Sequence, residues 1–425
     1  MKTGKSVLPP TAEPSRKSIF QDRNFVLFLV GQCITTQGLW VQKIAMSWLA
    51  WSLTGSPFWT GLIAALNFAP AFILGPVFGV MADRVNLRKT AVTLNLMMAA
   101  TAFLLMILSM AGQINLFWMV VLAGTNGVLA SAMTPVRLSL VPVIVQREFM
   151  SRAVAYAAMN FNISRLVGPA VGGVVIATWG TGAAFMINAA SYIPMVFVLA
   201  TVKIHVERAP DAKSKRVLAA LVDGANYAIH HPMIRSVLAL SCFVALVGTG
   251  MVELMPVFAE AVYDRGVTGL GMLASASGVG AVASTFMLSR VKSDPAAFQR
   301  VTIIGAFAAG CGMLGLGFAP WYELAVMLVA ITGFGLTAVG VGSQTALQLT
   351  VDNKLRGRVM SFWSATSFGG IAVGGTMLGA ISEAGHIQYT ARGSGALILC
   401  AAIVGLWRLY RVGTTDAKSA TETAK

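Results

Sequence analysis

Residues 75–89 read GPVFGVMADRVNLRK. The stretch starts as apolar helix, with Gly75 and Gly79 four residues apart, and ends in a charged turn: Asp83-Arg84, then Arg88-Lys89. Apolar sequence resumes at once with TAVTLNLMMAATAFLLMILSM, residues 90–110. Charges set between two long apolar runs mark a short loop at a membrane surface. An acid followed by a base, then a basic pair, is more specific than an anchor.

The rest of the chain has the same character. Of its 425 residues 56% are hydrophobic and 11% charged, with mean hydropathy +0.74; soluble domains carry about 25% charged residues. Apolar runs of about 20 residues, each long enough to cross about 30 Å of hydrocarbon as a helix, recur throughout. Their coarse limits are 25–51, 58–82, 90–111, 116–138, 153–177, 183–202, 236–262, 268–289, 301–319, 322–349, 359–382 and 394–411. They do not alternate as the strands of a membrane barrel would. The expected class is an all-α polytopic membrane protein of twelve spans in two six-helix halves, 24–202 and 236–411. A polar tail (1–23), a basic linker (203–235) with an amphipathic stretch from Val217 to Ile229, and a C-terminal tail (412–425) complete it.

The net charge of +15 has a topological explanation. With the N-terminus inside, all but four of the 31 Lys and Arg fall on the inner side. Arg265 and Arg392 lie outside, and Lys43 and Arg165 lie within spans. This is the positive-inside pattern; it places both termini in the cytoplasm and leaves nucleic acid unneeded as a partner. Cys33, Cys242, Cys311 and Cys400 are scattered singly through apolar runs, so neither a zinc site nor a disulfide framework is expected. No Walker A loop, G-x-S-x-G elbow or HExxH motif is present, so no enzyme, ATP site or cofactor is expected.

Two equal halves suggest duplication. SLVPVIVQREFMSRAVAY (139–156) aligns with TALQLTVDNKLRGRVMSF (345–362), bringing Arg152 against Arg358, each after an even-numbered span.

Gly79-Val-Met-Ala-Asp83-Arg84-Val-Asn86-Leu-Arg88-Lys89 resembles the G-x-L-A-D-R-x-G-R-K signature of the major facilitator superfamily, and the likeness runs over nearly the whole chain. Asn86 stands for the usual Gly, which it can replace if the turn needs a left-handed residue, and Leu87 for a usual base. Gly38-Leu-Trp40-Val-Gln42-Lys43, Leu53-Thr-Gly-Ser-Pro57, Arg165-Leu-Val-Gly168-Pro169-Ala-Val-Gly172-Gly173 and Arg356-Gly-Arg358-Val-Met-Ser361 resemble the branch of enterobactin exporters and macrolide-efflux proteins. The Gly-Pro-x-x-Gly-Gly run is also similar to the fifth-span signature of drug:proton antiporters, with Ser164 where that signature has a further Gly. Two antiporter hallmarks are missing: Ala123 occupies the fourth-span Arg position ahead of Asn126-Gly127, and Leu39 follows Gly38 where many antiporters have an acid.

The resemblance implies a cytoplasmic latch in which Asp83, with Arg84 and Arg88 beside it, reaches Arg137 and the start of span 11 near Arg358; the alternative is a solvated acid paired with Arg84. Glu253 is the one acid well inside a span, about 26 Å along span 7 from Ser236 at 1.5 Å per residue; Glu260 and Glu323 lie at span ends. Desolvation makes Glu253 a candidate proton carrier, or it is an interfacial residue. Lys43 lies equally deep in span 1, the counterpart of span 7, so the two are expected to face each other near the outer gate. Otherwise Lys43 snorkels, with Trp40, Trp48 and Trp51 as anchors. Arg165 at mid-depth must face protein or a wet cavity, for a substrate acid or for a structural partner. Asn160, Gln32 and Gln344 are candidate cavity residues. Gly168 and Gly172 share a helix face that permits close packing, beside Pro169 and Gly173. The pairs Gly370/Gly374 and Gly375/Gly379 do the same in span 11.

Together these features predict a secondary transporter in a lipid bilayer, exporting a small amphiphilic molecule (drug, macrolide or siderophore) against protons by alternating access; a monomer is favoured, although the sequence does not define oligomeric state. Uptake, another coupling ion, or a non-transporting membrane sensor or assembly partner remain as alternatives.

Overall fold

The computed structural model describes residues 19–82, 84–145, 149–202, 226–352 and 355–423. Asp83, Arg147, Lys354 and most of the expected amphipathic linker stretch lie outside these. Among the described residues there are helices and no strands.

The helices start and stop where the sequence supplies caps. In α1 (Arg23–Thr54) the Asp22 carboxylate accepts from the N–H groups of Asn24 and Phe25, and Gly55 ends the helix at φ +60°, a left-handed position that suits glycine. Ser56 caps α2 (Pro57–Ala82), its Oγ accepting from Trp59 N–H at 3.3 Å. Asn86 opens α3 (Leu87–Met110). It does so at φ −74°, with Oδ1 accepting from Lys89 N–H at 3.0 Å. The left-handed conformation considered for Asn86 is therefore not used; the residue works as an N-cap, which a glycine side chain cannot. Asn115 caps α4 (Leu116–Ile144) in the same way. The helix Met150–Thr201 holds two spans, α5 (150–179) and α6 (181–201), divided at Gly180, whose φ of +80° is not helical.

The second half contains α7 (Pro232–Val262), α8 (Gly266–Leu288), α9 (Pro295–Leu316), α10 (Tyr322–Thr350), α11 (Arg356–Ala384) and α12 (Ile387–Thr423). α12 begins before the expected 394 and continues through 412–423, assigned above to a tail. Among the described residues eleven helices are long and apolar enough to cross a membrane, the one that turns at Gly180 supplying two spans. This is the expected twelve-span, all-α architecture. Large apolar side chains such as Ile193, Phe197 and Met327 are exposed on its flanks, where lipid is the matching solvent.

The core shows how the halves meet. Three apolar clusters decide it. One, at the end opposite the termini, mixes both halves: Val41, Leu49 and Phe185 with Leu254, Phe258 and Leu378. At the termini end the first half has its own cluster around Phe25, Leu140 and Tyr192. The second half has another around Ile234, Leu347 and Val359. Among the described residues the bundle is thus joined at the far end, while at the termini end each half has its own apolar cluster.

The joint is made by α2 against α11 and α5 against α8, where small residues let backbones touch. A Cβ on Gly61 would collide with the Gly375 carbonyl, and one on Gly379 would stand 2.5 Å from the Pro57 carbonyl. Gly173 faces Gly271, its added Cβ 3.1 Å from that Cα. Ser56 closes the seam by donating to the Glu383 carboxylate, 3.0 Å from each oxygen.

Gly61→Ala overpacks this seam, at a cost of about 1–3 kcal/mol. In a cysteine-free background with spin labels at Leu53 and His386, the substitution is expected to lengthen the far-end distance. An unchanged distance distribution would show that the seam tolerates the methyl group.

Candidate functional site

Between the halves lies a cavity of about 400 Å³, lined from one side by Lys43, Phe68 and Arg165 and from the other by Glu253, Gln344 and Trp363. Trp40 and Lys43 are three residues apart on α1 and so share a face.

Glu253 and Lys43 meet across the halves, Nζ to Oε1 at 2.9 Å. The Glu253 side chain is 7% exposed and that of Lys43 36% exposed. The ammonium also lies 5.3 Å from the ring centroids of both Trp40 and Phe68, within cation–π range. The lysine is therefore drawn inward by a carboxylate and two aromatic faces, while one side stays open to the cavity.

Glu253 does not sit in regular helix. α7 passes through a π-helical segment at Ala245–Thr249, breaks at Glu253 and Leu254, and takes a second π-helical segment at Phe258–Val262. Pro256 follows three residues after Glu253, and it has no N–H to donate back to Val252. π-segments mark functional sites disproportionately. The sequence signal was available in Glu253-Leu-Met-Pro256 but was not read as a break.

Arg165 reaches from α5 across the interface. Its guanidinium donates to Thr337 Oγ1 at 3.4 Å and Ser277 Oγ at 3.5 Å, and it lies in the field of the Glu253 carboxylate. Both hydrogen bonds are long. With Glu253 already paired to Lys43, Arg165 is the cation in this cavity with the weakest partners.

The four expected cavity residues divide between two sites. Arg165 and Gln344 line the central cavity. Gln32 and Asn160 line a second one, of about 300 Å³, in the first half between α1, α4 and α5, and Arg137 lines it too. Phe161 borders both. Gln32 Nε2 and Asn160 Nδ2 each donate to Thr36 Oγ1 at 3.3 Å.

Of the expected latch residues, Asp83 lies outside the described ones. Arg84 is exposed, and Arg358 is half-buried in the first turn of α11. Arg88 is engaged within its own half: Nε donates to the Leu199 carbonyl at 2.6 Å and Nη2 to that of Ala200. It closes the C-terminal end of α6, where a cation is favoured by the helix dipole, and does not bridge the halves.

The glycine run of α5 serves two partners. Gly168 and Gly172 face α1, where added Cβ atoms would meet Trp40 Cβ at 2.5 Å and Val41 Cα at 3.3 Å. Gly173 and the Pro169 carbonyl face Gly271 of α8. At the far-end surface Tyr263 donates to the Ala319 carbonyl at 3.1 Å, and burial pushes its pKa up to about 12, which keeps it a donor. Glu383 and Ser56 escaped the sequence reading because the acid falls one residue beyond the expected end of span 11.

This arrangement, two six-helix halves around a central polar cavity, is that of a transporter. Residues 14–424 match the family described as transmembrane secretion effector, and the chain belongs to this family of the major facilitator superfamily. Among similar proteins are the staphyloferrin A transporter of Staphylococcus aureus (strain NCTC 8325 / PS 47) and the multidrug efflux pump Tap of Mycolicibacterium fortuitum. The first is 22% identical over 80% of this chain and 83% of its own, and the second 24% over 86% and 90%. The enterobactin exporter EntS of Escherichia coli is 24% identical over 77% of this chain and 78% of its own. In fold the chain is similar to an inward-facing, occupied bacterial homologue of the lysosomal transporter Spinster (TM-score 0.73, 13% identity, 92% of this chain and 97% of that one). It is also similar to an inward-facing bacterial homologue of ferroportin (TM-score 0.69, 16% identity, 92% and 99%). The chain is a multi-pass membrane transporter and not an enzyme.

Removing one member of a buried ion pair strands the other, at about 3–5 kcal/mol when both are fully buried. Lys43 faces the cavity, so the cost here falls below that range. Lys43→Met is expected to lower the detergent-solubilised unfolding midpoint more than Lys43→Met with Glu253→Gln. A double variant no more stable than Lys43→Met would show that the two side chains are not coupled.

Proposed function

We propose that this protein exports a small amphiphilic molecule bearing an acidic group, in exchange for protons, by alternating access. The observation that carries the reading is the Lys43–Glu253 pair, drawn from opposite halves and set beside the cavity. The three relatives named above, for staphyloferrin A, enterobactin and drugs, support a substrate of this size and character. The basic loops at the termini end support a cytoplasmic position for both termini and a bacterial inner membrane as the location. The far end is then external, and the closed seam there belongs to an inward-facing state.

The cycle follows from the charges. Arg165, held by two long bonds to hydroxyls, exchanges them for a stronger charge-assisted pair with the substrate's acid. As the loaded carrier turns outward, the bond that ties α1 to α7 across the halves parts. A proton arriving from outside then binds the exposed Glu253 carboxylate and removes its charge. The break in α7 gives this helix a place to bend as the seam opens. After the far end has closed again, release of the proton to the cytoplasm restores the pair. Gln344 lines the same cavity and contacts the polar part of the substrate.

When the far end opens, the termini end must close. The signature loop assigns Asp83 to that closure, with the N-terminus of α11 and Arg358 opposite and with Arg137 and Arg84 beside it.

In proteoliposomes with an imposed pH gradient, Glu253→Gln should lose gradient-driven accumulation while retaining substrate exchange. Accumulation that still follows the gradient in this variant would remove Glu253 as the proton carrier. Asp83→Asn should insert normally and lower transport by roughly tenfold, matching the 1–2 kcal/mol of a partly buried charge at a helix terminus. Transport equal to the parent chain would leave Asp83 a solvated loop acid.

A further inference from the structure

The second cavity has the composition of a ligand site in its own right. Its walls are apolar, from Phe28, Leu138 and Val154, and its polar groups are Arg137 and the amides of Gln32 and Asn160. The two amides converge on one hydroxyl, Thr36 Oγ1, which donates in turn to the Gln32 carbonyl at 2.7 Å. Asn160 is buried, and its Oδ1 accepts from Ser164 at 3.4 Å. The amides are thus gathered on one wall through Thr36, by bonds that are themselves long. Each amide NH₂ carries a second donor beyond the one given to Thr36.

Arg137 is different. Among the described residues it has no carboxylate partner, and it lies exposed on the wall of this cavity. The site offers one cation and the free amide N–H donors of Gln32 and Asn160, beside amide and hydroxyl oxygens, and among the described residues no acid lines it. An acid group is the complement of that set, and an alkyl or aryl body is the complement of the walls. The volume of about 300 Å³ lies at the small end of ligand pockets.

The position matters as much as the composition. Phe161 separates this cavity from the central one. Along α5, Asn160 and Arg165 are about 7–8 Å apart at 1.5 Å per residue. Asn160 of the second cavity and Arg165 of the central one are thus less than two helical turns apart, with no acidic side chain between them on α5.

We propose that the α1–α4–α5 cavity is a second binding site, taking the acid group of a small amphiphile on Arg137 with its apolar body against Phe28, Leu138 and Phe161. It is a staging site nearer the termini end, from which the ligand passes to Arg165. This rests on the reading of the chain as a carrier of acidic amphiphiles, but it concerns binding and not flux.

The test uses the full chain in phosphatidylcholine nanodiscs and the fluorescent carboxylate 11-(dansylamino)undecanoate. In an Arg165→Gln background, where the central cation is gone, the probe should still bind saturably. Adding Arg137→Gln should weaken it by at least roughly tenfold, as expected for loss of a charge-assisted pair. Arg137→Lys, which retains the charge, should weaken it far less and so serves as the control for folding. The probe's methyl ester should bind weakly to every variant. Displacement by phosphatidylglycerol in the nanodisc would identify the occupant as a lipid headgroup; displacement by free laurate alone would identify a soluble amphiphile. The proposal is overturned if Arg137→Gln leaves the affinity unchanged or if the ester binds as tightly as the acid. Since no flux is measured, a transport reading that fails for Glu253 leaves this result standing, and the reverse also holds.

Discussion

The structure turns on one ion pair. Lys43 and Glu253 are 2.9 Å apart, and each comes from a different six-helix half. A lone carboxylate at this burial would be costly, and so would a lone ammonium among the aromatic rings of Trp40 and Phe68. Neither charge is well placed without the other. The pair therefore fixes the relation of α1 to α7 at the depth where the cavity begins. A surface salt bridge such as Arg265–Glu323, at 3.6 Å and exposed on both sides, has no such leverage.

Around that pair the far end is closed by backbone against backbone. The glycine stripes of α11 face two ways. Gly374 approaches Leu246 of α7 within its own half, and Gly375 and Gly379 approach Gly61 and Pro57 of α2 in the other. α5 repeats the arrangement, with Gly168 and Gly172 on α1 and Gly173 on Gly271 of α8. Such contacts gain from close dispersion packing and depend little on solvent. They make and break as whole faces, which suits two discrete arrangements better than a graded one. The ion pair adds what glycine cannot, a response to charge.

Much of this was legible in the sequence, because hydropathy and charge act locally. Twelve apolar runs and the one-sided Lys and Arg distribution needed no tertiary information. Lys43 and Glu253 were expected to face each other, since each lies equally deep in corresponding spans. The rest depended on packing. Asn86 looked like a substitute for glycine in a left-handed turn and proved to be an N-cap. Arg88 belonged to the charged signature, yet its nearest acceptors are carbonyls at the end of α6, more than a hundred residues away in the chain. Gln32 and Gln344 were grouped as cavity residues, and the structure puts them in different cavities. Periodicity cannot show this, because it reports which face a residue occupies and not what lies opposite. The break at Glu253 was the one avoidable omission, since Pro256 announces it.

The charge of the two cavities sets what the protein can hold. In the central cavity one cation cancels one anion, and Arg165 is left over. In the second, among the described residues, Arg137 shares the lining with amides, a hydroxyl and hydrocarbon, and no acid. Each site therefore carries an excess of one positive charge, at two depths along one wall of the first half. A cationic amphiphile would meet repulsion at both. It would gain a carboxylate only by displacing Lys43, which is tethered and already caged. An acidic amphiphile meets attraction at both and disturbs neither the pair nor the seam when it binds. In the proposed cycle the ligand acts on Arg165 and the proton on Lys43–Glu253, which are different groups. All three side chains line one cavity.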